Sequence, residues 1–161
     1  MNSFELENLI RKIVGLRLTV IGYACNMPMF NFGNSDVSYS LHAQCLTRII
    51  KNDDILVTTY DYQSWDGEHD EKNDFMYNLK KFKPEIEGGL VVSVEVNALF
   101  DTIITLDNGV IIQIIIDNSY SHYDEEAEQY RFFECGSDDE DESGNLPPHY
   151  VVYSKRIEIQ G

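Results

Sequence analysis

"TIITLDNGVIIQIII", residues 102–116, is the stretch that decides the fold. Two apolar runs flank Asp107-Asn108-Gly109, and an Asn-Gly pair tolerates the two positive-φ positions of a tight hairpin turn. The second run, Val110 to Ile116, is interrupted only by Gln113 and is apolar on both faces of a strand. That pattern belongs in the interior of a sheet, and the run is too short to span a bilayer.

Outward from this hairpin the period of two continues. Val92, Val94 and Val96 alternate with Ser93, Glu95 and Asn97, a strand with one wet face set off by Gly88-Gly89. Upstream, Phe75, Met76, Leu79 and Phe82 fall at helical spacing and predict a short helix over about 73–82, ending before Lys83-Pro84. Ile55 to Tyr62 reads as a strand, as does the segment from about His149 to Ile159 that follows Pro147-Pro148. The chain opens with an amphipathic helix over 3–14: Asn2 or Ser3 caps it, Leu6, Leu9, Ile10 and Ile13 share a face, and Gly15 stops it. Arg17 to Val20 alternates, Met29 to Phe32 is a short strand ending at Gly33-Asn34, and Val37 to Cys45 alternates throughout. The expectation is an α+β fold, mostly antiparallel β-sheet, with an N-terminal helix and one short middle helix.

The order of elements in residues 16–62 resembles that in 90–157. Each half reads strand, hairpin, an Arg followed by two large apolar residues, acidic loop, strand, with Arg48-Ile49-Ile50 in one and Arg131-Phe132-Phe133 in the other. This predicts two related β-meander units with Arg48 and Arg131 in equivalent places. A chance likeness between meanders is the other reading.

At 161 residues the chain has the length of a single domain, 1–161, able to bury about two thirds of its unfolded surface. Hydrophobic residues at 43% exclude a disordered chain despite the charge. No signal-peptide pattern stands at the N-terminus, and Cys25, Cys45 and Cys135 form an odd set without a Cys-x-x-Cys pair, so a reducing cytoplasm is expected. The net charge of -16 is unevenly placed. Between Asp53 and Asp74 stand eight acids and one lysine, and between Asp124 and Glu142 ten acids and one arginine, leaving a neutral remainder. No basic patch exists for a phosphate backbone, which excludes nucleic acid as an expected partner, and no membrane segment is read. A basic protein fits the charge, although a run such as Asp138-Asp139-Glu140-Asp141-Glu142 also serves simply as a solvated loop.

The densest polar stretch is "SLHAQCLTRII", residues 40–50. Alternation puts Val37, Tyr39, Leu41, Ala43 and Cys45 on the core face and Ser38, Ser40, His42 and Gln44 on the other, with Arg48 joining them if the strand runs on. His42 and Cys45 then diverge, which argues against a thiolate–imidazole pair and makes Cys45 a small core residue. No His or Cys residues have zinc spacing, and 138–142 lacks the alternating oxygen ligands of a calcium loop, so neither metal nor cofactor is expected. Asp61, Asp66 and Glu68 around Trp65 are carboxylates whose separation the sequence does not fix.

Ser40-Leu41-His42, Gln44-Cys45 and Arg48, with Asn108-Gly109, Glu128 to Phe133 and Pro148-His149-Tyr150-Val151-Val152, resemble a family of small bacterial proteins of unassigned function. The likeness spans about residues 16–155. Leu46-Thr47 stands where that pattern often has Pro-Trp, and Tyr130 where it has Trp. Some members resemble immunity proteins that neutralise a toxin, so the resemblance implies a binding role, establishes no catalytic residue and leaves the mechanism open.

Two functions follow as expectations. The first is a non-catalytic acidic binding protein, an immunity-type inhibitor of a basic toxin, contacting it through the acidic segments 53–74 and 124–142, the latter including Asp138 to Glu142. Trp65, Tyr60, Tyr62, Tyr120 or Tyr123 would anchor it. The alternative is a small-ligand protein or enzyme with a polar pocket around His42, Gln44, Arg48 and Arg131. The oligomeric state is left open.

Overall fold

The structure is a computed structural model that describes residues 1–24, 27–69, 72–119, 126–135 and 147–161. Its elements in chain order are α1 (Ser3–Ile10), β1 (Arg17–Ala24), β2 (Met27–Gly33), β3 (Ser38–Ala43), β4 (Leu46–Lys51), β5 (Asp54–Thr58), α2 (Asp74–Ile86), β6 (Val91–Val96), β7 (Thr102–Leu106), β8 (Val110–Ile115), β9 (Tyr130–Glu134), β10 (His149–Val152) and β11 (Ile157–Gln160). A 3₁₀ turn, Arg11–Ile13, extends α1, and a second, Thr59–Ser64, follows β5. The fold is α+β, and all paired strands run antiparallel.

The strands form a six-stranded sheet in the order β1-β2-β3-β9-β10-β11 and a five-stranded sheet in the order β5-β4-β8-β7-β6. Each sheet thus begins from a meander of one half and continues with strands of the other: β1-β2-β3 receives β9-β10, and β6-β7-β8 receives β4-β5. The free edges of the two meanders meet at the Arg17–Leu90 bridge, where Leu18 N donates to Gly89 O and Gly88 N donates to Leu18 O. The local details correspond as well. Gly15 before β1 and Gly88 before β6 both take positive φ, 85° and 89°, a conformation that glycine adopts without a Cβ clash. The β1–β2 ladder shifts register between Leu18 and Val20, and the β6–β7 ladder shifts between Val91 and Ser93.

The core lies between the sheets and is closed by the helices. Leu18, Ile21, Phe30, Leu41 and Phe132 from the first sheet join Ile49, Val94, Ile104, Ile112 and Ile114 from the second, with Leu6, Ile10, Phe75 and Leu79 from α1 and α2. β8 occupies the middle of its sheet, between β4 and β7, as its two apolar faces require. Tyr130 is wholly buried, donating its hydroxyl to Phe100 O (2.7 Å) and lying 2.9 Å from Thr102 Oγ1, so one polar handle ties β9 to the start of β7.

Several local expectations are corrected. The alternating strand from Val37 does not continue to Arg48. It breaks at Gln44-Cys45, whose backbone N–H groups both donate to Gln129 O, and the chain crosses from the first sheet into the second. The α2 helix runs through Pro84 to Ile86. Pro84 sits in the exposed last turn, where its missing N–H leaves the carbonyl of exposed Lys80 facing solvent rather than buried, and burial of Ile86 favours continuing. The expected strand through Tyr62 ends at Thr58, whose side chain caps the 3₁₀ turn carrying Tyr60 and Tyr62. In the 107–109 turn only Gly109 has positive φ, and Asn108 instead donates Nδ2 to Glu85 O and Ile86 O, fastening the hairpin to the end of α2. The two positive-φ positions fall at Asn52 and Asp53 (54° and 65°), in the two-residue turn joining β4 to β5. The last segment is two strands, β10 and β11, rather than one.

Candidate functional site

On the outer face of the first sheet, β3, β9 and β10 bring together His42, Arg131, Phe133 and His149. His42 pairs across the ladder with Arg131, and Phe133 with His149. The Phe133 ring stacks on His149 (centroids 4.1 Å apart, 9° between planes) and meets His42 edge-on at 5.1 Å. His42 Nε2 lies 3.1 Å from Ser40 Oγ, which donates to Asn31 Oδ1 at 2.7 Å. Arg131 forms a two-pronged pair with Glu128, Nε to Oε1 at 2.6 Å and Nη2 to Oε2, while Nη1 lies 3.4 Å from His149 Nδ1.

Burial and then the adjacent Arg131 charge lower the pKa of His42, and the same two causes in the same order lower that of His149. The bond to Glu128 raises that of Arg131. Two neutral imidazoles beside a guanidinium whose fork is filled by its own chain make a cross-linked polar layer. Glu128 and His149 complete this layer, and the signal for Glu128 was its spacing three residues before Arg131.

The other proposed pocket residues do not join it. Arg48 lies on β4 in the second sheet, opposite Gln113 and Thr58. Among the described residues its buried Nε has no hydrogen-bond partner, and neither has Gln113 Oε1. Gln44 is exposed at the crossover between the sheets. Cys45 is buried, and burial pushes its thiol up to about 12, so it stays protonated. The pocket expected around His42, Gln44, Arg48 and Arg131 is therefore split between two sheets and a crossover.

Gln44 belongs to a different neighbourhood. A cleft of about 190 Å³ is lined by Gln44, Leu46, Tyr60, Tyr62, Gln63 and Asp117. Its walls are tied to the sheet: Leu46 N donates to Asp117 Oδ2, and Thr47 N to Thr59 Oγ1. Beside it, the 3₁₀ turn presents Tyr60 at 65% exposure, and Trp65 at 37% exposure rests against Tyr62 with ring centroids 5.9 Å apart. Ser64 Oγ donates to Asp61 O and accepts from Asp74 N, joining the turn to the start of α2. Asp66 Oδ1 accepts from Glu68 N and His69 N, and these backbone donors lower its pKa below the usual carboxylate range. The aromatic rings are thus carried on a hydrogen-bonded turn with ionised Asp66 at its end.

Asp138, Asp139, Glu140, Asp141 and Glu142, with Tyr120 and Tyr123, lie outside the described residues. Among the described residues no group of three or more His, Cys, Asp or Glu could hold a metal ion, and no helix is long and apolar enough to cross a membrane. Comparison with family models, curated proteins and solved structures gives no match to this chain.

Proposed function

We propose that the chain is a protein-binding module that offers an acidic, aromatic-studded edge of its second sheet to a basic protein, as an immunity-type inhibitor does. The observation that carries this reading is the exposure of Tyr60 and Trp65 on a turn fastened by Ser64 and Asp66. Large aromatic side chains held in place and half open to water contribute anchor contacts at little further entropic cost. Asp53, Asp54, Asp61 and Glu68 lie in the same segment, and their field speeds encounter with a cationic surface and selects it. The likeness of Ser40 to Arg48 and Glu128 to Phe133 to small bacterial proteins, some of them immunity-like, fits a binding role. Filling of the Arg131 fork by Glu128 removes the main anion-binding group of the rival pocket.

The test is capture of partners from a lysate of the source organism by three forms of the chain. These are the wild type, Tyr60→Ala/Trp65→Ala, and Asp53→Asn/Asp54→Asn/Asp61→Asn/Glu68→Gln. The wild type should retain one basic protein at low salt. The aromatic variant should lose it, and the neutralised variant should associate more slowly with a flatter salt dependence. A wild type that retains nothing, or a partner held equally by all three forms, would sink the reading.

A further inference from the structure

The correspondence between the halves exposes a place where they differ. With Gly15 and Gly88 aligned, Leu6 corresponds to Leu79, Ile13 to Ile86, Glu7 to Lys80 and Ile10 to Lys83. The first two pairs are buried at both places. α1 lies against β6, Glu7 Oε2 accepts from Val96 N at 2.9 Å, and Ile10 is wholly buried. α2 lies over β1 in the corresponding position, but Lys83 is part-exposed where Ile10 is core, and Lys80 is exposed where Glu7 reaches the backbone. A cavity of about 350 Å³ remains between α2 and β1.

The floor of this cavity is apolar, made by Ile21, Met76 and Leu79, all buried. Exposed Tyr23 and Tyr77, together with Lys80 and Lys83, line the rest of it. The volume lies within the range of small-ligand sites, about 300–1,000 Å³. Lys83 pairs with Glu87 at 3.4 Å, and Glu87 Oε1 also accepts from Ile21 N at 2.8 Å, so that carboxylate is engaged by the backbone of the cavity wall. Among the described residues Lys80 has no ion-pair partner. Two cations over an apolar floor, in a chain of net charge -16, single out one kind of guest.

We propose that the cleft between β1 and α2 binds a small amphipathic carboxylate. Its alkyl body lies on Ile21, Met76 and Leu79, and its anionic head meets Lys80 and Lys83. The apolar floor supplies most of the affinity, and the lysines choose an anion over a neutral or cationic chain of the same length. The site is separate from the Tyr60–Trp65 edge and does not depend on it.

Decanoate, below its micelle concentration, is the probe, titrated into the full chain with decanol for comparison. Binding is read from the methyl NMR signals of Ile21, Met76 and Leu79 and from the shift in melting temperature. Saturable shifts confined to those methyls are expected, with a rise in melting temperature. Lys80→Gln/Lys83→Gln should weaken decanoate about tenfold, the worth of one exposed and one part-exposed charge contact, while leaving decanol affinity unchanged. Shifts that do not saturate, shifts spread over the molecule, or a double variant that binds decanoate as tightly as the wild type would each overturn the proposal.

Discussion

Arg131 and Arg48 stand in corresponding places and have opposite surroundings. Each lies on a strand added to the meander of the other half, opposite a polar residue of that meander: His42 for Arg131, Gln113 for Arg48. Each is followed by two large apolar residues. Three residues before Arg131 the chain has Glu128, which fills its fork, whereas three residues before Arg48 it has Cys45, a core residue. Corresponding strands therefore carry a closed ion pair on one sheet and, among the described residues, a guanidinium with an unpartnered buried Nε on the other. Position in the fold sets where an arginine can point, and one neighbouring residue decides whether it is satisfied.

The largest expected effect comes from breaking the closed side. Arg131→Met leaves Glu128, whose side chain is 14% exposed, without its partner and removes the contact at His149. A carboxylate held that far from water and unpaired costs more than the pair contributed, so unfolding stability should fall by about 2 kcal/mol. Urea unfolding at neutral pH measures it. A loss no greater than that of an ordinary surface substitution would mean that Glu128 finds water or another donor, and the contrast with Arg48 would weaken.

A second test separates the sheets by pH. Among the described residues only the first carries imidazoles beside its arginine, and His42 and His149 both have folded pKa values below the ordinary 6.5. The unfolded chain then takes up protons before the folded one as pH falls, so stability is full above about 6.5 and is lost as pH drops toward the lowered folded values. The urea midpoint should fall between pH 7.5 and pH 5.5. His42→Gln/His149→Gln should flatten that decline by the share the two imidazoles contribute, with acidic groups elsewhere accounting for the remainder. An unchanged slope would place the titration outside this layer.

Much of the frame was legible because it rests on period and turn chemistry. Leu6, Ile10 and Ile13 marked the face of α1. The two-faced run Val110 to Ile116 placed β8 inside its sheet. What escaped the sequence depended on contacts between distant segments. The break at Gln44-Cys45 is fixed by the carbonyl of Gln129, 85 residues after Gln44, and no local pattern announces it. The conformation of Asn108 is set by the end of α2, so a strong hairpin signal adopted a different turn. The candidate edge was legible in part: Trp65 and Tyr60 stood out among acids, but the 3₁₀ turn that presents them depends on Thr58, Ser64 and Asp74 acting together. The polar pocket failed as a reading because strand alternation was carried across a crossover.

The smallest effect is expected from the open side, and it is the more discriminating for that. Arg48→Met removes a half-buried guanidinium whose Nε has no partner among the described residues and keeps an unbranched side chain on a strand whose next-but-one residue, Ile50, pairs with Ile111. No acid within 4 Å loses a partner, since no described carboxylate pairs with Arg48. The desolvation cost of the charge disappears, and stability should stay within about 1 kcal/mol of the wild type or rise slightly. Arg48→Met/Gln113→Met should rise further, because the second substitution removes the unpartnered buried Oε1. The two variants, read by urea midpoint beside Arg131→Met, make a direct comparison of equivalent positions. If Arg48→Met costs as much as Arg131→Met, the guanidinium of Arg48 has a partner in solution, and the two halves are alike in electrostatics as well as in strand order.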